Sequence, residues 1–154
     1  MSLKLYFVGK SKKKFIVNGI KEYQKRIRKY LPFKIEIIPE EKCSKNQKKF
    51  ETIEVEASRI LKKIKSNTYL IVLDERGRQF TSVEFAGFLE KKLSQKNVAF
   101  LVGGVYGLSK RVKDRADLIL GFSKFTFTHQ MIRIILLEQL YRALTIQKNK
   151  AYHY

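Results

Sequence analysis

Residues 68–74, TYLIVLD, are an almost wholly apolar run of β-branched and aliphatic side chains that ends abruptly in the polar stretch DERGR (74–78). A strand that is apolar on both faces has to be covered on both faces, which is the pattern of a parallel sheet sandwiched between helices. The rest of the chain agrees with that constraint. LKLYFVG (3–9), FKIEIIP (33–39), VAFLVG (98–103) and DLILGF (117–122) read as further short strands bounded by Gly, Pro or polar turns. Between them, apolar residues recur at three and four. Ile16, Ile20, Tyr23 and Ile27 predict a helix over 15–30 closed by Pro32, and Phe50, Ile53, Ala57, Ile60, Leu61 and Ile64 predict one over 45–65. A third follows Thr81 or Ser82, with Glu84 placed to complete a capping box, a short basic helix starts at Ser109, and the last spans 129–148 with Thr128 as its cap. Five strands alternating with five helices predict a three-layer α/β fold around a mainly parallel sheet, as a single domain over 1–154.

In such folds ligands bind at the carboxyl ends of strands, where turns and helix N-termini present backbone donors. Three ends stand out: VLDERG (72–77), LVGGVYG (101–107) and LGFSKFTFTHQ (120–130). The Gly103-Gly104 pair permits close approach of a ligand to the backbone, while Gly107 serves a tight turn. The spacing Gly-Gly-x-x-Gly after the fourth strand is neither the dinucleotide fingerprint nor a Walker A loop.

The last helix carries apolar side chains around most of its circumference, from Met131 to Ile146. One face packs on the sheet, and the remainder needs a second cover, for which a two-fold partner subunit is the economical source. Glu138 and Arg142 stand at i and i+4 on this helix, an ordinary intrahelical pair unless an interface desolvates them.

Lys and Arg number 33 against 14 Asp and Glu, a net charge of +19, of which +12 lies in residues 1–66. A polyanion is the partner such a field favours, with nucleic acid ahead of a membrane surface. The phosphate-positioning candidates are Lys10, Lys12, Lys13, Lys14, Lys21, Lys25, Arg26, Arg28 and Lys29. The single cysteine, Cys43, excludes an intramolecular disulfide and a cysteine zinc site; with only His129 and His153 besides, no metal is expected. No apolar run approaches the roughly 20 residues a membrane span needs, and the N-terminus lacks the order of a signal peptide, so a cytoplasmic protein is expected.

LVGGVYGLS, FSKFTFTHQMIRIILLEQLYRA and the terminal NKAYHY, with LKLYFVGK and VLDERGRQFTSVEFA further upstream, together resemble the RlmH family. These are SPOUT-class methyltransferases that modify a pseudouridine in bacterial 23S ribosomal RNA. The resemblance implies a C-terminal deep trefoil knot, an obligate homodimer, and S-adenosyl-L-methionine as methyl donor. Its cofactor loops correspond to Leu73, Gly103 and the segment Phe122, Ser123, Lys124, Phe125, Thr126 and Phe127. It also implies the substrate, ribosomal RNA in the large subunit or the 70S ribosome, and the chemistry, methyl transfer to N3. That nitrogen carries a proton in the neutral base, so a proton acceptor and stabilisation of the anion are required. Arg142 is the candidate for the anion, and His129, Glu138 and His153 for the proton; Tyr152 and His153 would sit at the active-site mouth and reach the partner's cofactor. Family members often carry Pro where this chain has Thr128. The competing readings are a SPOUT enzyme acting on another RNA and a ribosome-binding factor without turnover.

Overall fold

A computed structural model describes residues 2–154. The strands are β1 (Leu3–Val8), β2 (Phe33–Ile38), β3 (Tyr69–Arg78), β4 (Val98–Val102) and β5 (Leu118–Leu120). The helices are α1 (Lys14–Ile27), α2 (Lys49–Lys63), α3 (Ser82–Gln95), α4 (Lys110–Arg115) and α5 (Met131–Gln147). One sheet in the order β2-β1-β4-β3-β5 holds all five strands, and every pairing in it is parallel.

The side-chain alternation of the strands sorts the core into two layers. Leu3, Leu5 and Phe7 of β1, with Val98, Phe100 and Val102 of β4, point toward α1, α3 and α5. Tyr6 and Val8, with Leu70, Val72, Ala99 and Leu101, point toward α2 and α4, where Ala57, Ile60 and Val112 meet them. Both faces are therefore buried, as the apolar run at 68–74 requires. Helix α3 starts on a complete capping box: the Glu84 amide donates to Thr81 Oγ1 (3.2 Å), and the Thr81 amide donates to Glu84 Oε2 (2.7 Å).

Several boundaries differ from the sequence expectations. Helix α2 begins at Lys49 rather than 45; residues 45–47 form a turn, with the Gln47 amide bonded to the Ser44 carbonyl at 3.1 Å, and the helix starts after Lys48 without a side-chain cap. Helix α1 ends at Ile27, four residues before the Leu31-Pro32 step, and the chain turns at 28–30. Strand β3 runs on to Arg78, past the expected end at Asp74, and β5 is only three residues long.

The last two departures share one cause. Leu73 and Arg78 both pair with Leu120, so residues 74–77 bulge out of β3 and close around the backbone at Leu120-Gly121. The Gly121 amide donates to the Arg78 carbonyl at 3.0 Å, and a Cβ on Gly77 would lie 2.5 Å from the Leu120 carbonyl carbon. Only two facing glycines allow backbones that near.

Helix α5 lies between α1 and α3 on one face of the sheet. Leu136, Leu137, Leu140, Ala143 and Leu144 are buried in the core, and Ile134 reaches Gly19 of α1. Neighbouring helices thus cover part of the surface that the sequence alone would assign to a partner subunit. Met131 (40% exposed) and the half-buried Ile135 remain on the outside.

Gly77→Ala is expected to lower the unfolding free energy by about 3 kcal/mol, the upper range for overpacking, because the atoms it meets are backbone and cannot turn aside. Urea denaturation of the variant against the native chain measures it.

Candidate active site

The carboxyl ends of β3, β4 and β5 meet at one cavity of about 660 Å³. Its walls are the bulge at Leu73–Arg76, the turn Gly103–Leu108, and the segment running from Leu120 and Phe122 through Phe125–His129, closed by Ile132 of α5. The three strand ends singled out in the sequence are thus brought together. The turn is shaped locally: Gly107 takes a φ of +80°, its amide donates to the Gly104 carbonyl at 3.1 Å, and Gly103 is packed so closely that a Cβ would lie 2.9 Å from Leu108 Cγ. Gly103 is therefore required by the turn itself, besides lining the cavity.

Of the expected cofactor residues, Leu73, Gly103, Phe122, Phe125, Thr126 and Phe127 line the cavity. Ser123 and Lys124 do not. Ser123 Oγ instead accepts the Phe125 amide at 2.7 Å and fixes the turn, and Lys124 faces solvent.

The charges of the cavity wall are mostly committed. Burial pushes the Asp74 carboxyl up, but Lys113 Nζ at 2.6 Å and the Arg76 amide at 2.9 Å outweigh it and hold the carboxyl below its usual range. Glu75 accepts a hydrogen bond from the Thr126 hydroxyl, tying the bulge to the opposite wall. His129 ends the wall; burial, and then the charge of Arg133, lower its imidazole below the ordinary histidine value. The Thr128 hydroxyl accepts the Met131 amide at 3.1 Å, but α5 starts at Met131, two residues later than expected, because residues 129–130 form a turn ahead of it.

The remaining catalytic candidates form a second group. Arg142 is bonded to Glu138 Oε1, Tyr152 donates to the same oxygen at 3.1 Å, and Arg142 Nη1 donates to His153 Nδ1 at 3.3 Å. Arg142 also stacks on Tyr152, 4.9 Å from ring centroid, and Tyr152 meets Tyr141 edge-on at 4.7 Å. Glu138 Oε2 accepts from Gln139 at 2.8 Å, so both carboxylate oxygens are engaged and Glu138 organises the folded-back tail. Burial, and then bonding to Tyr23 and the charge of Glu138, push the Tyr152 phenol well up, which keeps it protonated as a donor. None of these four lines the cavity. Eleven residues separate Met131 from Arg142, roughly 16 Å along the helix axis.

Among the expected RNA contacts, Lys10, Lys12, Lys13, Lys14, Lys21, Lys25, Arg28 and Lys29 are exposed. Arg26 is bonded to Glu22 at 2.8 Å and lies over the rings of Tyr23 and Tyr141, and Arg28 Nε donates to the Phe33 carbonyl at 3.3 Å.

The sequence reading passed over Arg133, which is wholly buried. Its Nη2 donates to the Val8 carbonyl at 2.7 Å, its Nη1 to Ser11 Oγ at 3.0 Å, and its guanidinium covers Phe7 at 4.7 Å. Burial draws it down to about 10. The signal was available: Arg133 falls on the core stripe of α5, three and seven residues before Leu136 and Leu140, where a charge needs a reason. Ile132 and Lys113 were also missed, as wall residues that no motif marks, whereas Asp74 lies in the VLDERG strand end already singled out. Among the described residues no group of three His, Cys, Asp or Glu could hold a metal ion, and no helix is long and apolar enough to cross a membrane.

A family model described as predicted SPOUT methyltransferase matches residues 1–153. The chain is 43% identical to the ribosomal RNA large subunit methyltransferase H of Parabacteroides distasonis, over 100% of this chain and 99% of the relative. It is 42% identical to the protein of the same name from Trichlorobacter lovleyi, over the whole of both chains. Among solved structures, a probable methyltransferase from Bordetella pertussis superposes with a TM-score of 0.57 at 13% identity, covering 92% of this chain and 93% of that one. The tRNA (m1G37) methyltransferase of Aquifex aeolicus superposes with a TM-score of 0.56 at 11% identity, over 92% and 70%. The last two speak for the fold alone, but the first three cover the chain from end to end: it belongs to the SPOUT methyltransferase family.

Proposed function

We propose that this protein methylates N3 of a pseudouridine in 23S ribosomal RNA, on the large subunit or the 70S ribosome, as a cytoplasmic homodimer using S-adenosylmethionine. The observation that carries the reading is the meeting of three strand-end loops at one cavity, in a chain whose full-length relatives bear the name of ribosomal RNA large subunit methyltransferase. The cavity suits the cofactor. Its volume is that of a small-molecule site, its turn is bare backbone at Gly103 and Gly104, and Leu73, Val102, Leu120, Phe122 and Ile132 supply apolar walls for an adenine and an aliphatic chain. Leu73, Gly103, Phe122, Phe125, Thr126 and Phe127 would hold it. When bound, S-adenosylmethionine supplies a methyl group made electrophilic by the sulfonium sulfur. The close packing of Leu120-Gly121 against the 74–77 bulge fits the trefoil knot expected of this family.

His129, held neutral by its surroundings, has a free electron pair at neutral pH and stands at the cavity wall to accept the N3 proton. Arg142 carries a fixed positive charge suited to the resulting anion, and Glu138, Tyr152 and His153 hold its guanidinium in place. Because this group lies outside its own subunit's cavity, a two-fold partner that sets it against the neighbouring cavity completes the site. The exposed Met131 and half-buried Ile135 on the outer face of α5 fit such an interface. The lysines of the 10–14 loop and α1 serve phosphate positioning.

Mapping 23S RNA from a deletion strain by mass spectrometry, with and without the gene restored, tests the reading; an unchanged methylation pattern overturns it. Arg142→Ala is expected to lower kcat about 10²- to 10³-fold, the usual range for removing one charge-stabilising donor, while calorimetry shows cofactor affinity unchanged. Ribosome affinity should fall steeply with salt, and a flat response would remove phosphate contacts from the account. His129 titrates below the ordinary value of about 6.5, so its contribution to stability is complete above that pH and is lost as pH falls through the folded value. The stability advantage of the native chain over His129→Gln, measured by urea denaturation, therefore shrinks as pH falls below about 6.5.

A further inference from the structure

Beyond the cavity and the α1 lysines, one more surface has the composition of a nucleic-acid contact. Residues 42–50 read KCSKNQKKF: four lysines, no acid and a terminal phenylalanine. Lys42, Lys45, Lys48 and Lys49 are all exposed, and Phe50, in the first turn of α2, is 70% exposed. An aromatic ring left in solvent beside four ammonium groups that make no ion pair among the described residues contributes nothing to the core, whose α2 members are Ala57 and Ile60. The surface is also continuous with the cavity. Lys49 Nζ lies over the ring of Tyr106, 5.3 Å from its centroid, and Tyr106, itself 39% exposed, lines the cavity together with the 65% exposed Val105. One acid, Glu51, lies exposed alongside; Glu54 is committed to Arg111 at 2.7 Å. This platform lies on the face of the sheet covered by α2 and α4, opposite the face that holds α1 and α5, so an interface built on α5 leaves it open.

We infer that Phe50 and Tyr106 form a stacking platform for unpaired RNA nucleotides next to the one that enters the cavity, with Lys42, Lys45, Lys48 and Lys49 on the adjoining phosphates. Base faces stack on exposed aromatic rings without regard to sequence, and ammonium groups spaced along the same track neutralise the backbone. The arrangement selects single-stranded over duplex RNA, because only splayed bases present their faces. The inference rests on the RNA methyltransferase reading given above.

The test uses the full chain, 70S ribosomes from the deletion strain, and a fluorescein-labelled single-stranded RNA of about ten nucleotides, within the usual site size. Phe50→Ala, at a side chain that the fold does not bury, is expected to weaken RNA binding by anisotropy about 5- to 100-fold and to raise KM for ribosomes, with kcat and cofactor affinity unchanged. Phe50→Trp restores binding. The double change Lys48→Gln and Lys49→Gln lowers the salt slope by about 1.4, two phosphates at 0.7 each for a single strand. Native RNA affinity and native KM in Phe50→Ala overturn the platform while leaving the methyltransferase reading intact. A loss confined to ribosomes, with bare RNA bound as before, assigns the patch to a ribosomal protein and likewise overturns it. Absence of methyl transfer by the native chain overturns the activity reading instead.

Discussion

Two backbones share a space that no side chain can enter. Where Gly77 faces Gly121, the bulge between Leu73 and Arg78 wraps the end of β5, and both flanking residues pair with the same Leu120. That contact fixes where β5 stops and sets the direction in which residues 122–130 leave the sheet. Within the bulge, Asp74 and Glu75 become wall residues of the cavity although β3 continues past them to Arg78. The cavity exists because this crossing exists: two of its three walls are the two segments that cross, and the third is the turn after β4 between them and β1.

From that crossing follows the division of the candidate residues into two groups. Helix α5 begins just after His129 at the cavity wall and carries Glu138 and Arg142 away down the sheet, where the terminal residues fold back onto them. A single rigid helix cannot deliver both ends to one site. The homodimer proposed for this chain resolves that geometry by supplying from one protomer what the other's cavity lacks, and it gives the terminal Tyr-His pair a purpose that a lone subunit would not.

Much of this was legible beforehand because it rests on patterns local to the sequence. The apolar 68–74 run dictated a sheet covered on both faces, the Thr81-Glu84 spacing placed the start of α3, and the three strand ends pointed to the three walls. What stayed hidden depends on contacts between distant residues. The extension of β3 to Arg78 is imposed by Leu120, some forty residues later, and DERGR by itself reads as a loop. The share of α5 covered by α1 and α3 could not be told from the share left open, since apolar side chains all round a helix state only that cover is needed. Arg133 was masked for the opposite reason: its partners, the Val8 carbonyl and Ser11, lie in a segment that shows no acidic counterpart. Ser123 and Lys124 were included with a continuous motif, whereas the turn at that pair leaves both out of the cavity lining and brings Phe125, Thr126 and Phe127 into it.

The Arg133 clamp also bears on how the molecule comes into being. Its hydrogen bond to the Val8 carbonyl spans 125 residues, so the first strand waits for the last helix before its end is fastened. Contacts of such long sequence separation form late, after the entropy of closing the intervening chain has been met. During synthesis, β1 and β2 have their parallel pairing available early, but neither the clamp nor the cavity can be assembled until α5 has been made. Nascent fragments that lack α5 therefore carry the basic N-terminal surface without a formed site.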